Sequence, residues 1–193
     1  MKSFARSLVL AAAVAAMPAF AAVQVKSAKF EDTMQVGGQS LVLNGAGVRV
    51  KLVFDVYAAG LYLPSKVHSE GKALSVAGAK NMQIVLLRDL TGEKFAEAMI
   101  EGFKANNTDA DIAKFQSKLD QLRNLMLTFG TVKEGTVINM TSVPGTGLRV
   151  SVNGQPKGSE ISGDDFYQAM LKIWLGQKPV DPELKSALLG GSN

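Results

Sequence analysis

Asn44-Gly45-Ala46-Gly47-Val48-Arg49 leads without a break into VKLVFDVYAAGLYL, Val50 to Leu63. This is the most apolar and β-prone part of the chain after its N-terminal leader. Valine, leucine, tyrosine and phenylalanine suit a pleated, half-buried surface. Leu41, Leu43, Val48, Val50, Leu52, Phe54 and Val56 do not keep one alternation. Gly45 and Gly47 can supply a bulge that resets which face is apolar. Gly60 allows close approach of another group, and Pro64 ends the run. Arg49 stands where the apolar run begins. Such an arginine is either a surface charge or an anion anchor above an apolar cleft.

The N-terminus has the three parts of a secretory leader. Lys2 and Arg6 give a basic start, residues 7–17 are a short apolar run, and Ala19-Phe20-Ala21 has the small-x-small form of a cleavage site. We read residues 1–21 as a cleaved signal peptide and residues 22–193 as one domain, which predicts export to the periplasm. No other run approaches the roughly 18 apolar residues of a spanning helix. Loss of Lys2 and Arg6 takes the formal charge from +4 to +2. No basic tract interleaved with aromatics points to nucleic acid. The chain has no cysteine and one histidine. That excludes a cysteine nucleophile, a thiolate zinc site and a His-rich metal site, and no metal or cofactor is expected. His68, among Lys66, Ser69, Glu70 and Gly71, reads as a turn residue.

The remaining elements follow from period and capping. Val23 to Phe30 alternates as a single edge or half-buried strand does. Met34 to Val36 is a short strand, and Gly37-Gly38 turns it into Ser40 to Leu43. Residues 67–81 are a loop with a small helix, and Met82 to Leu87 is a strand covered on both faces. Thr91 caps a helix striped by Phe95, Met99 and Phe103. Thr108 and Asp111 open a second, striped by Ile112, Phe115, Leu119, Leu122, Met126 and Phe129. Three strands follow, the last two joined by Asn153-Gly154, a hairpin signal. Ser162 is expected to cap a third helix carrying Phe166, Met170, Ile173 and Trp174, and Asp181 a short last one. Strands joined by hairpins and helices in groups predict an α+β fold: an antiparallel sheet with helices on one face.

No phosphate loop, HExxH or Gly-x-Ser-x-Gly is present. What remains is Arg49, Tyr57, Tyr62 and Arg88, polar groups set in apolar surroundings. A guanidinium is a fixed fork for carboxylate oxygens, and a tyrosine hydroxyl can add a donor. The competing reading has both arginines at sheet edges, paired with acids such as Asp55 or Asp89.

Four motifs in order resemble the chalcone isomerase fold family, in its bacterial exported branch: Asn44-Gly-Ala-Gly-Val-Arg49, Gly60-Leu-Tyr-Leu63, Leu90-Thr-Gly-x-x-Phe95, and Gly176-x-x-Pro-Val-Asp-Pro182. The likeness spans nearly all of the chain after Ala21. It implies an open-faced β-sandwich, a large antiparallel sheet with helices packed on one face. It also implies one of two modes: enzymes that close a chalcone to a flavanone, or non-enzymes that hold a fatty-acid carboxylate with an arginine and a tyrosine. The shared arginine falls on Arg49. Tyr57 stands where the enzyme has threonine, as in the fatty-acid binders. The polar residues of the enzyme fall on Phe95, Gly102 and Ile173, which leaves little for catalysis.

The expected function is therefore non-catalytic binding of a fatty acid or similar amphiphilic acid, with Arg49, Tyr57, Tyr62, Arg88, Phe95 and Ile173 as candidate ligand-binding residues. The alternatives are a protein-interaction module whose cleft is closed, or a weak isomerase of chalcone type. One geometric condition applies. On one straight strand the eight residues from Arg49 to Tyr57 span roughly 26 Å. The pair can share a ligand only if the chain turns back between them, and no Gly or Pro lies from Val50 to Val56.

Overall fold

In a computed structural model of the chain, residues 22–191 are described. The leader read at residues 1–21 lies outside them. The described residues begin with a hairpin of β1 (Ala22–Val25) and β2 (Ala28–Glu31). The alternating segment expected as one strand is thus folded in two. Lys26, at φ 55°, makes the turn, and Val23 pairs with Phe30. Then come β3 (Thr33–Val36), β4 (Gln39–Lys51), β5 (Phe54–Leu63), α1 (Glu70–Ser75) and β6 (Lys80–Leu86). A short β7 (Leu90–Thr91) leads into α2 (Gly92–Asn106) and α3 (Asp109–Leu127), and β8 (Thr131–Val132) returns to β7. The chain closes with β9 (Val137–Val143), β10 (Gly147–Val152), β11 (Gln155–Ile161), α4 (Asp164–Leu175) and α5 (Pro182–Leu188). Seven strands form one antiparallel sheet in the order β11-β10-β9-β6-β5-β4-β3.

Three of the four helix caps expected from the sequence form. The Thr91 hydroxyl accepts from the Lys94 N–H, and Thr108 and Asp111 form a reciprocal box. The Asp181 carboxylate accepts from the N–H groups of Glu183 and Leu184. Ser162 does not cap α4. Gly163, at φ 107°, is the cap and offers no side chain. The turn into that helix needs a backbone angle open to glycine, which moves the cap by one residue.

All five helices of the described residues contribute to one core against one face of the sheet. Its centre is the aromatic cluster of Phe103, Phe115 and Phe166, with ring centroids 5.5–6.2 Å apart. A smaller core on the other face lies under the β1–β2 hairpin. It holds Phe30, Leu41, Leu43, Ala58 and Tyr62. Gly60 faces this side: a Cβ there would stand 2.6 Å from the Phe30 ring, so the glycine makes room for an aromatic ring.

The β4 register decides which residues face the helices. Leu43 pairs with Tyr62, but Leu61 pairs with Gly45, so Asn44 is the extra residue of a bulge. Leu41 and Leu43 consequently face the small core, whereas Gly45 and Gly47 face α5. A Cβ at Gly45 would lie 2.0 Å from the Ala187 carbonyl oxygen, and one at Gly47 2.7 Å from the Ala187 Cβ. The buried Asn44 amide donates to the Leu188 carbonyl at 2.7 Å and accepts from the Val67 N–H at 2.7 Å. Asp181 accepts from the Val50 N–H at 2.9 Å. The first and last sequence motifs are thus the two sides of one helix-on-strand seat.

Substitution of Gly45 by Ala should therefore cost about 2–3 kcal/mol, at the upper end for overpacking because the obstacle is backbone. Gly71→Ala, which meets nothing within 4 Å, should be neutral or stabilising by about 0.5–1 kcal/mol through helix propensity. Urea unfolding midpoints of the two variants check both.

Candidate functional site

The chain turns back between Arg49 and Tyr57. Lys51 pairs with Phe54 across a two-residue turn, Leu52-Val53, with Leu52 at φ 59°. Such turns ordinarily place glycine or asparagine at positive φ, so this one carries no sequence signal. Arg49 and Tyr57 become direct cross-strand partners. Both side chains lie on the helix side, and the guanidinium carbon sits 5.6 Å from the centre of the Tyr57 ring.

Tyr57 is buried, and its hydroxyl accepts from the Trp174 indole N–H at 2.9 Å. Burial pushes its pKa up to about 12; the Arg49 charge and the indole hydrogen bond pull the other way, and Asp181 adds to the rise. At neutral pH Tyr57 is a neutral phenol. Arg49 differs in one respect: its Nε–H is buried and has no hydrogen-bond partner among the described residues. Such a donor costs about 1–3 kcal/mol when left unmade. The acids that could have neutralised the two arginines are engaged elsewhere. Asp55 pairs with Lys26 at 3.2 Å and Asp89 with Lys133 at 2.7 Å. Among the described residues neither Arg49 nor Arg88 forms a salt bridge.

Arg49 opens on a groove of about 530 Å³ between the β4–β5 hairpin, the residue 88–90 turn and α2. Buried and half-buried Val56, Leu90, Phe95 and Ala98 form its apolar base. Exposed Lys51, Leu52, Phe54, Arg88, Lys94, Glu97 and Glu101 form its rim. The volume falls in the range of small-molecule sites, about 300–1,000 Å³.

Of the six candidate residues, Arg49, Arg88 and Phe95 line this groove. Tyr57 lies behind Arg49 with its hydroxyl turned to Trp174. Two do not join. Tyr62 points to the opposite face of the sheet and donates to the Glu31 carbonyl at 3.0 Å, because it is an odd number of residues from Tyr57 along one strand. Ile173 is in the core against Gly102, where an added Cβ would stand 2.8 Å from its Cγ2. Lys51, Leu52, Phe54 and Lys94 line the groove and escaped the sequence reading, which had no sign of the Leu52-Val53 turn that presents three of them.

A family profile described as chalcone isomerase-like matches residues 22–190. The chain belongs to the chalcone isomerase-like family. Among solved structures, a fatty-acid binding protein from Arabidopsis thaliana shares the fold at a TM-score of 0.67 and 18% identity, over 88% of this chain and 96% of that one. The sequence matches no curated protein. Within this chalcone isomerase-like chain, Ile173 and Val180 fill the space beside Gly102. Phe95 lines the groove, Gly102 and Ile173 pack against each other in the core, and none of the three carries a side chain able to donate a proton.

Tyr57→Phe would leave the buried Trp174 N–H without its acceptor and should cost about 1–3 kcal/mol. It should also flatten part of the alkaline stability limb. The unfolded phenol ionises near 10 and the folded one at about 12. The stability Tyr57 contributes is complete below pH 10 and lost as pH rises to about 12. Urea unfolding from pH 8 to 12 measures both effects.

Proposed function

We propose that this protein binds a fatty acid or a similar amphiphilic acid without transforming it, and that it does so as an exported, periplasmic protein. The carrying observation is Arg49, whose side chain lines the groove and whose buried Nε–H has no hydrogen-bond partner among the described residues. A carboxylate is the ligand that repairs that deficit. It takes parallel hydrogen bonds from a guanidinium, and such charge-assisted bonds are the strong ones. The acyl chain then lies along Val56, Leu90, Phe95 and Ala98, with Leu52 and Phe54 closing over it. Arg88, Lys51 and Lys94 add positive charge to the rim, while the Asp89 carboxylate is held by Lys133. Tyr57 serves as the wall that orients the guanidinium, since its hydroxyl is committed to Trp174.

The same arrangement argues against chalcone closure. Arg49 can stabilise a phenolate, but Phe95 and Ile173 replace the groups that would hold water and pass a proton, and Tyr57 remains protonated.

Calorimetric titration of the delipidated protein with a long-chain fatty acid should show saturable binding. Arg49→Gln should weaken it roughly tenfold or more, as expected from loss of a hydrogen bond between charged groups. Mass spectrometry of solvent extracts should find a co-purifying acid in the wild type and less in the variant. Equal affinity in the two proteins, or no acid bound to either, contradicts the assignment.

A further inference from the structure

The tip of the β4–β5 hairpin bears three consecutive exposed apolar residues: Leu52 (89% exposed), Val53 (83%) and Phe54 (52%). Among the described residues the Arg88 guanidinium stacks on Phe54 while Leu52 and Val53 stand open, and the turn is unfavourable in itself. Leu52 holds φ 59°, a bulky side chain in a region that suits glycine. An ordinary surface turn would carry Asn-Gly there, be more soluble and be less strained. A strained residue that also exposes an apolar side chain marks a functional position rather than a folding one. Cations flank the tip and the groove rim it belongs to. Lys51 is next to it, the Arg88 guanidinium carbon sits 4.7 Å from the centre of the Phe54 ring, and Lys94 lies on the same groove rim. None of the three forms a salt bridge among the described residues. Glu97 and Glu101 also line the groove. They lie about 5 and 10 Å further along α2 than Lys94, and Asp89, the third acid of the lining, is paired with Lys133.

From this we infer that the Leu52-Val53-Phe54 tip inserts into the interfacial layer of an anionic lipid bilayer, with Lys51, Arg88 and Lys94 on the headgroups. An apolar prong with flanking cations matches both parts of such a surface: hydrocarbon below and negative charge at the headgroup plane. A protein partner would have to pair an apolar pocket with an acidic rim, whereas an anionic bilayer interface supplies both over its whole surface. Leu52 and Phe54 also belong to the groove rim, so docking sets the groove mouth at the lipid surface. There an amphiphilic acid could pass between bilayer and Arg49 without crossing water. This last step rests on the fatty-acid reading above; the docking does not.

The test uses protein purified from the periplasm, with wild type and variants sharing one determined N-terminus. Co-sedimentation is measured with phosphatidylethanolamine–phosphatidylglycerol vesicles and with phosphatidylcholine vesicles. Wild type should bind the anionic vesicles, and high salt should release it. Val53→Asp, which leaves the groove lining untouched, should lower the partition coefficient roughly tenfold or more through the lost apolar contact. Leu52→Gly should also weaken binding while its thermal midpoint stays level or rises, an outcome that a purely structural tip would not give. Lys51→Gln should weaken binding to anionic vesicles alone.

The docking is overturned if wild type stays in the supernatant, if Val53→Asp and Leu52→Gly bind as wild type does, or if anionic and neutral vesicles bind equally. It is equally overturned if sedimentation shows a dimer that Val53→Asp dissociates, which would make a second copy the occupant. Fatty-acid titration without vesicles is scored separately. Its failure alongside intact vesicle binding removes the ligand assignment and leaves the docking standing.

Discussion

The bulge at Asn44 is the constraint on which the rest of the structure depends. It adds one residue to β4 and so exchanges the faces that follow. Without it the two glycines would point toward the small core, and so would Arg49, two positions beyond Gly47. With it the glycines meet α5 and Arg49 meets the groove. The Asn44 amide fixes the bulge by bridging the Leu188 carbonyl and the Val67 N–H, two segments far apart in sequence. A buried amide satisfied on both sides resists any register slip, because a slip would leave both partners unmade. The position of Arg49 is thus set by a seat between β4 and α5, and the seat uses glycines because the backbone of α5 lies where a side chain would be.

Around Arg49 the fold separates holding from chemistry. Trp174 takes the Tyr57 hydroxyl, and burial keeps that phenol protonated. Ile173 and Val180 fill the space beside Gly102. What is left facing the groove is a cation with an unmade hydrogen bond and an apolar floor. An amphiphile with one negative end answers both, whereas a polar substrate would leave the floor wet and an alkane would leave Nε unpaired. The hairpin tip extends the same logic outward. Its Leu52 and Phe54 side chains stand on the groove rim with Lys51, Arg88 and Lys94.

The sheet, the grouping of helices, most of the caps and the α+β class were legible because each rests on local signals: period two, spacing of three and four, Thr and Asp at helix starts, Asn-Gly at a hairpin. The bulge was legible in outline from Gly45 and Gly47. The turn at Leu52-Val53 was not, since a leucine at positive φ in an unbroken apolar run resembles strand. That one turn converts an eight-residue separation into a cross-strand pair, and it also presents Lys51, Leu52 and Phe54 to the groove. Tyr62 and Ile173 were misplaced for a related reason. Residue type marks a candidate, but strand parity and the packing of Gly102 decide where its side chain goes. The hairpin of β1 and β2 was hidden in the same way, by a turn at Lys26 where no glycine stands.

The central claim is that the Arg49 Nε–H waits for a carboxylate. It is tested most directly by nitrogen-15 NMR of the arginine Nε–H signals, assigned through Arg49→Lys, during titration with a long-chain fatty acid and with the alcohol of equal length. The Arg49 signal should move saturably and downfield with the acid, as a charge-assisted hydrogen bond forms, and barely with the alcohol. An Arg49 signal that stays in place while the acid binds would show that the ligand is held elsewhere.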